Sequence, residues 1–173
     1  AAAFGDNPEL GAVAPFSSTG LSLDGGAGAD VAAPGVGLVT AVPGRNEGGA
    51  ARYGTLSGSS AAAAVVAGSA ALLAQARPDL DAAGLRSALV ATARRRAGAL
   101  GPGIVDPAGA SSVELVADPP IVALRALVGK RSQTTGRVLL RNVSRRPLVV
   151  ELRPGAAAAG VSVRAVPARV VVQ

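Results

Sequence analysis

A run of sixteen residues from Ala61 to Ala76 constrains the fold of this chain more than any other feature. Only Gly68, Ser69 and Gln75 interrupt its apolar side chains, so the run predicts a helix that is apolar on every side. Such a helix is normally buried in a larger core. A membrane span needs about twenty residues, usually of stronger hydrophobes than alanine. We therefore expect a core helix and no membrane span.

Residues 10–52 predict short buried strands joined by loops, because brief apolar stretches there alternate with Gly, Pro and Ser. Turns are expected at residues 34–35 and 43–44, which are both Pro-Gly. Short strands followed by a buried helix are typical of a layered α/β domain with a mainly parallel sheet.

A second helix is predicted directly after the long one. Pro78 ends the first helix, because proline disfavours the helical conformation of the residue before it. Asp81 is then a suitable N-cap for the second. The arginines at 94–96 mark its end, where cations complement the helix dipole. The face expected to lie on the core is formed by Leu85, Ala88, Leu89 and Thr92.

The positive charge of the chain belongs to its last third. Residues 1–118 carry 7 Arg against 10 acidic side chains, a net charge of −3, whereas residues 119–173 carry 9 Arg and one Lys against one Glu, a net charge of +9. These cations are spread singly among Val and Leu, without aromatic side chains for base stacking. We interpret them as the solvent face of strands and expect no nucleic-acid partner.

Residues 121–173 predict an all-β module, because strand-length segments there are separated by turns and lack helical periodicity. The preceding residues 117–120, Ala-Asp-Pro-Pro, predict a linker between two domains. The predicted strands are residues 121–128, 137–143, 148–152, 161–166 and 169–172.

The absence of histidine excludes the usual general base from any hydrolytic mechanism that this chain could run alone. Without cysteine there is also no thiolate metal site, and we expect neither a metal nor a cofactor. Asp24, Asp30 and Asp106 lie in Gly/Pro-rich loops, where such side chains bond to local backbone, so none is assigned to a triad. Arg45 and Glu47 predict a solvated turn.

Ser60, the last residue before the apolar run, has two interpretations. Serine is a favoured helix N-cap. At the positive end of a buried helix it also suits an acyl-transfer nucleophile, because free backbone N–H groups there can stabilise a developing oxyanion. Gly58 would let a substrate backbone approach closely.

Residues 58–68, Gly-Ser-Ser-Ala-Ala-Ala-Ala-Val-Val-Ala-Gly, resemble the active-site serine motif of the subtilisin-like serine proteases, Gly-Thr-Ser-x-Ala-x-Pro-His-Val-Ala-Gly. The segments before the motif, residues 16–20 and 29–44, resemble those that precede this serine in subtilases. The segments after it, residues 71–93 and 101–110, resemble those that follow it, so the resemblance spans about residues 10–110 in order. The resemblance implies that Ser60 is the nucleophile, that Gly58 and Ser59 lie beside the oxyanion, and that the substrates are proteins or peptides.

The same resemblance implies what this chain lacks. In the family the triad runs Asp, His, Ser, with an oxyanion-hole asparagine also before the serine. Residues 1–116 are therefore expected to be the C-terminal portion of a subtilase catalytic domain, inactive alone, whose partner is the missing N-terminal half. Residues 136–152, GRVLLRNVSRRPLVVEL, resemble the strand pair of a fibronectin-type β-sandwich. Residues 121–173 are therefore expected to be such a module, which often follows the catalytic domain. The family implies a secreted or cell-surface location, although residues 1–20 lack a signal-peptide pattern.

The expected fold is thus α/β: part of a three-layer subtilisin-like domain with a mainly parallel sheet, followed by a small all-β sandwich-like module. The family's Pro and His are replaced by Ala64 and Val65, which would suit an inactive subtilase-like scaffold or interaction protein. An α/β-hydrolase is a more remote alternative, because its Gly-x-Ser-x-Gly motif requires glycine where Ala62 stands.

Overall fold

The computed structural model describes residues 12–18, 28–95, 102–124, 133–155, 157 and 160–173. In these residues two strands come first, three helices follow, and four further strands come last. In chain order the elements are β1 (Leu38–Arg45), β2 (Ala51–Leu56), α1 (Ser59–Ala76), α2 (Ala82–Ala91), α3 (Pro107–Ser111), β3 (Leu115–Asp118), β4 (Leu139–Asn142), β5 (Leu148–Glu151) and β6 (Arg169–Val172).

The strands pair antiparallel, in three sheets of two strands each: β1 with β2, β3 with β4, and β5 with β6. Within the described residues the single parallel pairing is an isolated bridge between Ala32 and Ile104. The mainly parallel sheet predicted from the sequence is therefore wrong for this part of the chain. A parallel strand pairs with a segment that is distant in sequence, so local patterns do not show whether its partner is present. The described residues before β1 make one such pairing, the bridge from Ala32 to Ile104.

The Pro-Gly pair at 43–44 lies inside β1 and does not form the predicted turn. The register with β2 shifts between Val42 and Arg45, and Gly44 has a φ of +90°. A proline cannot donate to the ladder and a glycine tolerates positive φ, so this pair suits a bulge.

The turn that joins β1 to β2 follows at residues 46–49. The Ala50 N–H donates to the Asn46 side chain at 2.8 Å, and the Arg45 guanidinium donates to the Gly49 carbonyl at 2.7 Å. Arg45 and Glu47 are exposed, so the predicted solvated turn is confirmed.

Helix α2 begins as the sequence predicts. The Asp81 carboxylate accepts the Gly84 N–H at 2.8 Å, which confirms the N-cap. Ala88 and Leu89 on the predicted inner face are buried, and the helix ends at Ala91. These features depend on residues close in sequence, which is why local patterns could locate them.

One apolar cluster joins the helices to β3. Its side chains are small or aliphatic, so many individually weak van der Waals contacts stabilise the core. The buried members are Leu73, Leu80, Ala88, Leu89, Ala110 and Val116, and the partly buried side chains packed on them are Ala70, Leu85, Val105, Val113 and Val143.

Arg77, the residue after α1, connects this cluster to its surroundings. Its guanidinium donates to the carbonyls of Ser111, Val113 and Val143 at 3.2, 2.9 and 3.3 Å. It also pairs with Asp79 at 2.8 Å, and its side chain is only 16% exposed. A single charged group therefore holds the end of α1 against two other segments.

Helix α1 is buried along one side only. Ala61, Ser69 and Leu73 are its buried residues, whereas Leu72 is 64% exposed. The prediction of a helix buried on every side is thus wrong for this chain by itself. By length and composition α1, with a mean hydropathy of 1.4, could cross a membrane, a test that core helices of soluble proteins also pass.

The described residues of the last third of the chain form fewer strands than the sequence predicts. Strands β4, β5 and β6 lie within three of the five predicted segments, and residues 161–166 form none. Of the predicted strand 121–128, residues 121–124 form none and residues 125–128 lie outside the described residues. Strand β3 extends to Asp118, so the predicted linker begins inside a strand. The two-domain division and the fibronectin-type module stay predictions.

Three aspartates accept hydrogen bonds that stabilise their charged forms and thereby lower their pKa values. The pKa of Asp79 is lowered mainly by the Arg77 side chain. The pKa of Asp81 is lowered most by the Gly84 N–H and next by the Arg141 side chain. The pKa of Asp106 is lowered most by the Arg94 side chain and next by the Gly109 N–H.

We expect the free energy of unfolding to fall in acid, below about pH 4, and to change little between pH 5 and 8. A carboxylate whose pKa is lower in the folded state stabilises the fold above the unfolded pKa, and this contribution is lost as the pH falls through the folded pKa. The chain has no histidine to titrate near neutrality. Urea unfolding midpoints across this range test the expectation.

The matched variant is Asp106→Asn, which keeps a capping side chain but loses the charge. Its stability should decline less steeply in acid than that of the wild type. Wild-type stability that stayed constant down to about pH 2.5 would contradict the linkage argument.

Candidate functional site

Gly58, Ser59 and Ser60 together form the entrance to α1. Gly58 is the N-cap, and the two serines are the first residues of the helix. The N–H groups of Ala61 and Ala62 donate to the Gly58 carbonyl at 3.1 and 3.2 Å. The helix itself therefore provides no carbonyl for the N–H groups of the two serines, which lie at its positive end.

Because Gly58 occupies the N-cap position, the interpretation of Ser60 as a helix cap is wrong. Ser60 is exposed in the first turn, and its hydroxyl makes no hydrogen bond to another described residue. An exposed hydroxyl beside free N–H groups can take part in acyl transfer once a base removes its proton. A histidine base for such a step would have to come from another segment, because the chain has no histidine.

Two hydrogen bonds hold the loop before α1 on residues 35–37. The Gly58 N–H donates to the Gly35 carbonyl at 2.8 Å, and the Gly37 N–H donates to the Ser57 hydroxyl at 2.9 Å. Ser57 is therefore an anchor of the loop, a role that the sequence analysis missed because the two segments are distant along the chain.

Gly35 lies unusually close to the start of α1. A Cβ atom added there would stand 3.0 Å from both the Ala62 Cβ and the Gly58 carbonyl oxygen. Only a glycine lets the two backbones approach this closely. Its Pro-Gly context was interpreted as a turn, whereas its structural role is this contact.

The exposed side of α1 continues directly from Ser60. Residues three or four positions apart share a helix face, and the exposed residues that follow Ser60 at this spacing have small or uncharged side chains. Gly68, near the middle, has no atom within 4 Å of an added Cβ. The members of this face, which we call the open face, are Ser60, Ala63, Ala64, Ala67, Gly68, Ala71, Leu72, Gln75 and Ala76.

The hairpin that leads into the serine loop is also uncovered on one face. Val39 and Tyr53 are 75% and 69% exposed. Val39 lies opposite Thr55 and Ala41 opposite Tyr53, so all four side chains share that face. Apolar groups are thus exposed on both elements that border Ser60.

The aspartates in the described loops serve structural roles. Asp30 pairs with Arg86 at 2.7 Å. Asp106 caps α3 by accepting the Gly109 N–H at 3.1 Å and pairs with Arg94 at 2.6 Å. Arg94 therefore binds a carboxylate beyond the end of α2, where the sequence indicated an interaction with the helix dipole.

Asp24 and Arg96 lie outside the described residues. Across the part of the chain that the structure covers, three or more carboxylates never come close enough to hold a metal ion together. Among the described residues, the groups identified at Ser60 are its own hydroxyl and the backbone N–H groups at the start of α1.

Comparison with known proteins agrees with the family resemblance of the sequence. The family model described as Subtilase family, Peptidase S8, matches residues 6–113, which is more than half of the chain. The matched range contains the serine loop and all three helices. No curated protein matches the chain.

We expect Gly35→Val to destabilise the fold by about 1–3 kcal/mol, because the added side chain must displace the start of α1. Gly155→Val is the control, since nothing lies within 4 Å of a Cβ there. Urea unfolding of both variants measures the difference. Equal stabilities would contradict the close contact between Gly35 and Ala62.

Proposed function

The chain belongs to the subtilase family, and from that premise we propose that it is the serine-bearing part of a subtilisin-type endopeptidase. The observation that carries the proposal is the position of Ser60, exposed in the first turn of α1 and in the register of the family's nucleophile. The predicted substrates are proteins or peptides, and a location outside the cell belongs to the same proposal.

In the proposed reaction, the Ser60 hydroxyl oxygen attacks the scissile carbonyl carbon while a histidine takes its proton and an aspartate orients that histidine. The negative oxygen of the tetrahedral intermediate receives hydrogen bonds from backbone N–H groups at the start of α1 and from an asparagine side chain. The histidine, the aspartate and the asparagine come from a second segment, because family motifs assign them to residues before the serine.

We further propose that this second segment packs on the open face of α1. Small side chains at Ala64, Gly68 and Ala71 permit close approach of another backbone. Contact there would bring a histidine beside Ser60 and also cover the exposed hairpin face. Helix α1 would then become the central buried helix that the sequence predicts, which accounts for its apolar composition without a membrane.

We expect Ser60→Ala to lower kcat by several orders of magnitude in a protein that combines this chain with the triad's aspartate and histidine. Ser59→Ala is the matched control and should cost far less, because Ser59 is one position, about 100°, away around the helix. Peptide hydrolysis and labelling by a fluorophosphonate measure both effects. The chain alone should not be labelled, because Ser60 then keeps its proton.

Two results would contradict the protease proposal. One is activity that survives Ser60→Ala. The other is an assembled protein that is inert although its triad is intact. The second result would favour an inactive scaffold, which the replacement of the family's Pro and His by Ala64 and Val65 suits.

Substitutions at Gly68 test the packing partner separately from the chemistry. In the chain alone, Gly68→Ala should stabilise by about 0.5–1 kcal/mol, because glycine is unfavourable inside a helix and the site is open. In the assembled protein, Gly68→Leu should weaken binding of the second segment, whereas Ala82→Leu, at an exposed position of α2, should not. Equal binding by both leucine variants would exclude the open face as the contact surface.

A further inference from the structure

Strand β4 lies beyond the range matched by the family model, yet it is joined to the serine-bearing part of the chain. It pairs with β3 along its full length, from Asn142 opposite Leu115 to Leu139 opposite Asp118. Strand β3 in turn packs on α2, where Val116 is buried. The pairing therefore extends a core that the matched helices begin.

The residue after β4 enters that core. Val143 packs against the buried cluster, and its N–H donates to the Glu114 carbonyl at 2.9 Å. Its own carbonyl accepts from Arg77 at 3.3 Å. Val143 thus contributes to the core and to the hydrogen bonds that hold the end of α1.

Two arginines of the basic last third bind carboxylates of the acidic first part. Arg141 donates to both oxygens of Asp81, at 2.9 and 3.3 Å. Arg146 donates to both oxygens of Glu114, at 3.0 and 3.2 Å. The opposite net charges of the two parts, +9 and −3, are therefore matched by specific pairs at their contact.

The side chains of Arg141 and Arg146 are 42% and 71% exposed. Exposed pairs contribute little stability and are screened by salt. The strand pairing and the packing of Val143 must therefore provide most of the attraction. The two ion pairs select the register and the orientation of the strand.

We propose that residues 139–146 are a strap of the serine-bearing domain and not the start of a separate module. The strap adds β4 to β3, and Arg141 and Arg146 orient it on Asp81 and Glu114. Because Asp81 caps α2 and Arg77 follows α1, the strap holds neighbouring ends of both helices. The predicted linker at 117–120 then lies inside the serine-bearing domain and does not separate it from β4.

Cutting the full chain in front of the strap tests this proposal independently of catalysis. A recognition sequence for a specific protease, inserted between Thr134 and Thr135, lies in an exposed segment outside the strands. After cleavage, the two pieces should elute together in size-exclusion chromatography at low salt. Separation of the wild-type pieces would overturn the proposal.

Charge reversal identifies the role of the arginines. In the cut chain at low salt, Arg146→Glu should weaken association about two- to fivefold, the range expected when an exposed ion pair is lost, and the swap of Arg146→Glu with Glu114→Arg should restore it. Arg153→Glu is the control, because the partner of Arg153 is Glu151 in its own segment. Equal loss in the Arg146 and Arg153 variants would also overturn the proposal.

Amide hydrogen exchange in the uncut chain provides a second test, which applies also to variants that unfold or aggregate after cleavage. The Val143 amide should be protected in the wild type and should exchange about two- to fivefold faster in Arg146→Glu, but not in Arg153→Glu. A Val143 amide that exchanges in the wild type at the rate of an unfolded chain would contradict the strap.

Discussion

The guanidinium of Arg77 is the interaction on which the described fold most depends. It satisfies three carbonyls from two separate segments and is neutralised by Asp79. Hydrogen bonds to a charged group contribute about 1.5–3 kcal/mol each, whereas an exposed ion pair contributes about 0–1 kcal/mol. A lysine could not replace it, because only the planar fork of arginine presents several donors in fixed directions. In a core built of alanine, valine and leucine, this polar junction provides a fixed geometry that small apolar contacts alone would not.

The sequence was sufficient for features that depend on neighbouring residues and insufficient for those that depend on distant ones. The end of α1 before Pro78 and the cap of α2 at Asp81 are set within one helical turn, and both were predicted correctly. The pairing of β3 with β4 joins residues more than twenty positions apart, so no local pattern could show it. Pro43 and Gly44 illustrate the ambiguity: the same two residues suit a turn and a bulge, and only the partner strand decides.

The candidate site divides in the same way. The motif located Gly58, Ser59 and Ser60 at the entrance of α1, because their spacing to Gly68 is encoded in one continuous segment. The support of this entrance by Gly35 and Ser57 depends on a contact across about twenty residues. Helix α1 was expected to be buried on all sides because its side chains are almost all apolar. Composition does not show which sides of a helix are covered, and the described residues bury α1 along one side only.

The bulge in β1 has a consequence for solubility. Strand β1 pairs with β2 along one edge, and an unpaired edge of a strand can recruit strands of other molecules into continuous sheets. Pro43 presents no N–H group, and Gly44, with its positive φ, bends the backbone out of the extended line. A foreign strand that approached this edge could pair only as far as Val42. The irregularity therefore limits how far intermolecular pairing can extend along this edge of β1.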